Sequence, residues 1–249
     1  MRSLLRLLPA LFLLAGIAHA QILAPIVNFG APRGGGATIG VTFSGGTNPN
    51  STTTSTANVF AFASQPVGTS GLVVIGITQN TCTTACGIAA GGVTVGVTTA
   101  TQGTSCYTSP SVQKATDIWY AAAPATSPQT ISVTTANATG RVSIAVWNVT
   151  GAGAAFSTCK NNSNTSSATT SVSSLTVPSG GATIGFGSIL GAETFSSASN
   201  LSTDAASTSC CGSNVVFAGH NTSLSGSQSF GITFSAANQI AGSFATFSP

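Results

Sequence analysis

Beyond residue 20 the apolar side chains of this chain recur with period two and not with the 3.6-residue period of a helix. Val93, Val95 and Val97 alternate with Thr94, Gly96 and Thr98, Ile131 and Val133 with Ser132 and Thr134, and Phe230, Ile232 and Phe234 with Gly231 and Thr233. Successive side chains of a strand point to opposite faces, so this alternation marks strands with one buried face. No eleven-residue window shows a helical stripe, Leu occurs six times after Gln21, and Met does not occur there at all. The strong helix formers are therefore scarce where a helix would need them.

Further strands fit 37–43, 115–121, 142–149, 175–177, 182–189, 215–219 and 240–247. The runs 59–63 and 72–77 are apolar at every position, which predicts strands lying centrally between layers and not at an edge. Pro66-Val67-Gly68 and the segments 124–128, 137–140 and 178–181 supply the residues of tight reversals. Many short strands with frequent turns predict an all-β protein, an antiparallel two-layer β-sandwich of jelly-roll or immunoglobulin-like type. Segments 44–56 and 157–170 are rich in Ser, Thr and Asn and read as exposed loops or linkers. Gly-Gly-Ala-Thr-Ile-Gly occurs at 35–40 and again at 180–185, through duplication or through a shared way of turning into a strand.

Arg2 and Arg6, an apolar run over 7–17 and Ala18-His19-Ala20 follow one another in the order of a secretory signal peptide, with cleavage expected after Ala20. The run is too short for a bilayer span, and nothing comparable follows, so no membrane span is expected in the mature chain. The organisation reads as a signal peptide over 1–20, an N-terminal strand extension and polar linker over 21–57, and a β-sandwich over 58–249. Six cysteines, Cys82, Cys86, Cys106, Cys159, Cys210 and Cys211, all follow the cleavage site and predict disulfides. The spacing of Cys82 and Cys86 favours a local bridge closing a turn. Zinc is disfavoured because there is no C-x2-C pair and His220 is the only mature histidine.

Charge decides which chemistry is left. The mature chain carries only Arg33, Lys114, Asp117, Arg141, Lys160, Glu193 and Asp204, and two of the formal +3 belong to Arg2 and Arg6. Such a chain lacks the clustered Lys/Arg of nucleic-acid binding and the carboxylate sets of metal sites, so neither metal, cofactor nor nucleic acid is expected. Disorder is opposed by 42% hydrophobic residues, a mean hydropathy of +0.40 and thirteen Phe.

The succession Leu72-Val73-Val74-Ile75-Gly76-Ile77, the run 91–97, Asp117-Ile118-Trp119-Tyr120, the run 131–134 and Arg141 to Trp147 resembles a recurring β-sandwich module. Uncharacterised tailed-phage structural proteins and bacterial secreted or cell-surface proteins carry it. The likeness spans 59–247 and rests on hydrophobic pattern, so it implies a structural or adhesive role and no catalytic residues. A signal peptide and six cysteines are foreign to virion proteins, which favours an exported cellular protein.

A Ser/His/Asp triad would need His220 with Asp117, Glu193 or Asp204, yet no G-x-S-x-G elbow occurs. His220 reads as a polar residue ending a strand, and the S-x-x-K matches at Ser111 and Ser157 as chance in a Ser-rich chain. No enzyme activity is expected. Asn-x-Ser/Thr sequons begin at Asn50, Asn137, Asn148, Asn161, Asn164, Asn200 and Asn221. Two functional readings follow. The first is an exported structural subunit or adhesin, self-associating at the cell surface or in a filament, with Ile22, Ala24 and Ile26 forming a strand for its own sheet or a neighbour's. The second is a carbohydrate- or surface-binding module that would use Trp119 and Tyr120 against a surface glycan.

Overall fold

Alternation is realised as two antiparallel sheets joined face to face, in a computed structural model that describes residues 38–44, 57–111, 113–207 and 214–249. These residues belong to a unit spanning Ala37–Pro249. The signal peptide, the strand patterned on Ile22, Ala24 and Ile26, the segment 45–56, and Cys210 and Cys211 lie outside the described residues. Among the described residues there is no helix.

The first sheet contains β1 (Gly40–Phe43), β2 (Ala57–Gln65), β3 (Leu72–Cys82), β4 (Ile88–Val95), β5 (Thr98–Thr99), β6 (Thr101–Gln102), β7 (Thr108–Ser111), β8 (Lys114–Ala122) and β9 (Gln129–Thr150). The second contains β10 (Ala155–Val177), β11 (Ala182–Leu190), β12 (Phe195–Ser199), β13 (Ser202–Ser207), β14 (Asn214–Asn221) and β15 (Gly226–Ser248). Both copies of the Gly-Gly-Ala-Thr-Ile-Gly echo run into strands, β1 and β11, and the Ile39 amide donates to the Gly180 carbonyl between them.

Each sheet doubles back on itself through its longest strands. The first part of β9 pairs with β2 and β4, its last part with β1 and β3. Phe60, Phe62, Val93 and Val95 on one arm then pack against Val73, Ile75, Val142 and Ile144 on the other, closing one core. The second sheet repeats the device: the start of β15 pairs with the end of β10, and its end with β11 and the start of β10. Phe230, Ile232 and Phe234 thereby face Phe217, Ile240 and Phe244 in a second core. Between the sheets runs a third layer of contact, which we call the seam, with Ile118 and Trp147 of the first sheet against Ile184, Phe186, Ala245 and Phe247 of the second.

Three sequence expectations require correction. The tight reversal at 137–140 is instead the bend within β9, because partners on both sides hold its ladder together. The polar segment 157–170 is part of β10, whose hydroxyl and amide side chains meet solvent or bond across the doubled sheet, as Asn162 does to the Ser171 carbonyl. Strand β2 is an edge strand paired with β9 alone: Phe60 and Phe62 point inward while Val59, Ala61 and Ala63 lie outside. Strand β3 does lie between two apolar layers, with Val73 and Ile75 in one and Val74 in the other.

Candidate functional site

Two of the few ionisable side chains, Lys114 and Asp117, are buried inside the fold. Strand β8 places three consecutive alternate positions, Lys114, Thr116 and Ile118, on the seam, and Asp117, Trp119 and Ala121 toward the first core. This parity sends the two charges of one strand to opposite faces, where each must find its partners separately.

Lys114 is fully buried at 0% exposure. Its Nζ donates to Asn80 Oδ1 at 3.1 Å on the neighbouring strand β3 and, across the seam, to Ser188 Oγ of β11 and Asn214 Oδ1 of β14. All these partners are neutral oxygens. Burial pushes the Lys114 ammonium well below the usual lysine range, so the uncharged amine is favoured.

Asp117 accepts three hydrogen bonds, from Trp119 Nε1 at 2.7 Å, Gln102 Nε2 at 2.6 Å and the Ile118 amide at 2.9 Å. Burial raises its pKa to about 7 although these donors pull the other way. Trp119 is itself 4% exposed and lies in the first core. Tyr120, half-buried, turns to the opposite face and stacks on Phe156 with ring centroids 5.0 Å apart. Neighbours on a strand cannot share a face, so the two rings form no platform on which a glycan could stack.

The third group spans the seam. His220 Nδ1 lies 2.8 Å from both Asp204 oxygens, and the same carboxylate accepts Trp147 Nε1–H at 2.7 Å. Trp147 also packs edge-on against Phe186, with ring centroids 6.3 Å apart. His220 is thus more than a polar strand end: it is one corner of a tie joining β13 and β14 to β9. The carboxylate is held by the indole as well as the imidazole, a bracing arrangement in which both carboxylate oxygens have a partner.

Among the described residues two disulfides add covalent links. Cys82–Cys86 closes the turn between β3 and β4, and Cys106–Cys159 crosses the seam from the β6–β7 connection to β10. Among the described residues no group of three or more His, Cys, Asp or Glu could hold a metal ion, and no helix is long and apolar enough to cross a membrane. Reasoning from the sequence overlooked Lys114, Asn80, Ser188 and Asn214, since no local spacing signals a partnership between residues so far apart. Comparison with protein-family models, with curated proteins and with solved structures finds no match for this chain.

Proposed function

We propose that the mature chain is an exported, non-catalytic structural subunit or adhesin that self-associates at the cell surface or in an extracellular filament. The observation that carries this reading is where the charges went. Lys114 and Asp117 are buried, Asp204 and His220 bind each other, Arg141 and Glu193 are half-buried, and of the charged side chains among the described residues Lys160 alone is exposed. What remains outside is a surface of hydroxyls and amides with little electrostatic self-repulsion.

The sheet edges carry few of the devices that normally prevent strand pairing. Strand β2 has neither charge nor proline, and its Val59 is 63% exposed. Strand β10, the edge of the second sheet, runs for 23 residues with one lysine, interrupted by register shifts. The alternation of Ile22, Ala24 and Ile26 supplies a strand suited to complete a neighbour's sheet along such an edge. The pattern likeness to surface-protein modules and the two disulfides agree with an oxidising, extracellular setting.

Sedimentation velocity over a wide concentration range, with electron microscopy of the same material, tests the reading. Wild-type mature protein is expected to form ordered assemblies. A chain beginning at Gly30 and the Val59→Lys variant are expected to stay monomeric with an unchanged melting temperature. A wild type that remains monomeric at high concentration would sink the proposal.

A further inference from the structure

The environment of Lys114 is unusual for an ammonium. It is buried completely, its oxygen partners are all neutral, and the only ion pair among the described residues is that of His220 with Asp204. A buried cation without a counter-charge is costly, and the amine escapes that cost by staying neutral. A neutral amine has a free lone pair and is a nucleophile.

Opposite it lies an amide with a matching anomaly. Asn214 is 1% exposed; its Oδ1 receives Lys114 Nζ and the Ser188 hydroxyl, the latter at 3.3 Å. Its Nδ2 has no hydrogen-bond partner among the described residues. A buried, unpaired amide nitrogen is costly, and here it belongs to a group in direct contact with the uncharged amine. Both anomalies disappear if the nitrogen of one replaces the nitrogen of the other.

We propose that Lys114 Nζ and Asn214 Cγ are joined by an intramolecular isopeptide bond that links β8 of the first sheet to β14 of the second. The lone pair of Nζ attacks Cγ, and the carbonyl electrons move onto Oδ1, where the Ser188 Oγ–H stabilises them as a hydrogen-bond donor. When the carbonyl reforms, the Cγ–Nδ2 bond breaks. Nδ2 leaves as ammonia, taking one proton from Nζ, relayed by the Ser188 hydroxyl. The second Nζ proton stays on the new secondary amide and donates to Asn80 Oδ1. No oxidant or reductant enters the balance. Contact geometry and exclusion of water supply the effective concentration that such an amide exchange requires.

Asn214, and not Asn80, is the acyl partner. Asn80 sits beside Lys114 on the adjacent strand, and only the Asn214 amide nitrogen is left unpaired. The bond would be a second covalent tie across the seam beside Cys106–Cys159, and one that reductants cannot open.

The test is peptide mapping of reduced and alkylated wild-type protein. Trypsin can cut the mature chain only after Arg33, Lys114, Arg141 and Lys160, and an acylated Lys114 resists cleavage. The expected product is peptide 34–141 uncut at Lys114 and covalently attached to peptide 161–249, with a mass about 17 Da below the sum of the two, the mass of one ammonia. Asn214→Ala is expected to restore the full mass and cleavage after Lys114. Separate peptides 34–114 and 115–141 at full mass from folded wild type would overturn the proposal, as would a link to Asn80. If the Asn214→Ala chain does not fold, the wild-type map alone decides. A monomeric wild type carrying the bond would overturn the assembly reading and leave this one intact.

Discussion

Raising the pH from about 4 to about 8 is expected to destabilise the sandwich through Asp117. Its three donors favour the carboxylate, but burial in the first core dominates and lifts the pKa from 3.8 to about 7. Between those values the native state holds a proton that the unfolded chain has released. Unfolding free energy therefore falls with rising pH over that window, and does not change further on this account above it or below it. A shift of some three units at about 1.4 kcal/mol each amounts to about 4 kcal/mol, or roughly 10 °C in melting temperature for a domain of this size. The assay is thermal and urea unfolding across the window for wild type and Asp117→Asn. The amide does not titrate, and its oxygen can still accept from Trp119 and Gln102, so subtracting the two profiles cancels every other titrating group. The difference is expected to favour wild type most at the acid end. A difference that is flat, or that grows in favour of wild type toward pH 8, would refute the reasoning, because the donors would then outweigh burial.

The cross-seam disulfide gives a second prediction. Cys106 and Cys159 are separated by 53 residues, so replacing both with Ala should cost about 4 kcal/mol by loop-closure entropy, read from the denaturation midpoint. Removing Cys82–Cys86, separated by only 4, should cost about half as much; equal costs would contradict the entropic account. A third concerns the closeness of the sheets. A methyl group at Gly76 would stand 2.6 Å from Phe186 Cγ, so Gly76→Ala should lower stability by about 1–3 kcal/mol, and an unchanged melting temperature would mean the seam yields more readily than its packing implies.

The all-β class and most strand positions were legible because period two reports directly that one face is dry. Val93 and Val95, Ile131 and Val133, and Phe230, Ile232 and Phe234 are buried as their alternation predicts, but Val97, the third residue of the first run, is fully exposed because β4 ends at Val95 and the chain turns there. The local Cys82–Cys86 bridge was legible for a similar reason, since four residues of separation leave few other partners within reach. Apolar character without alternation was less informative. The run 59–63 resembled 72–77, yet Ala61, Ala63 and Val59 tolerate the surface, and β2 became an edge.

What the chain determined by itself, then, is which side chains seek a dry face and which segments extend. Against what they pack was decided only by tertiary structure. The segment 157–170 of β10 looked like a loop because its Ser, Thr and Asn side chains carry no apolar stripe; it is a strand because β15 offers it a ladder. Lys114 meets Ser188 and Asn214 across 74 and 100 residues, and Asp204 gathers His220 and Trp147 from other strands. Periodicity encodes the direction of a side chain relative to its own backbone, whereas the identity of a distant partner depends on how sheets double back and stack, which no local spacing records.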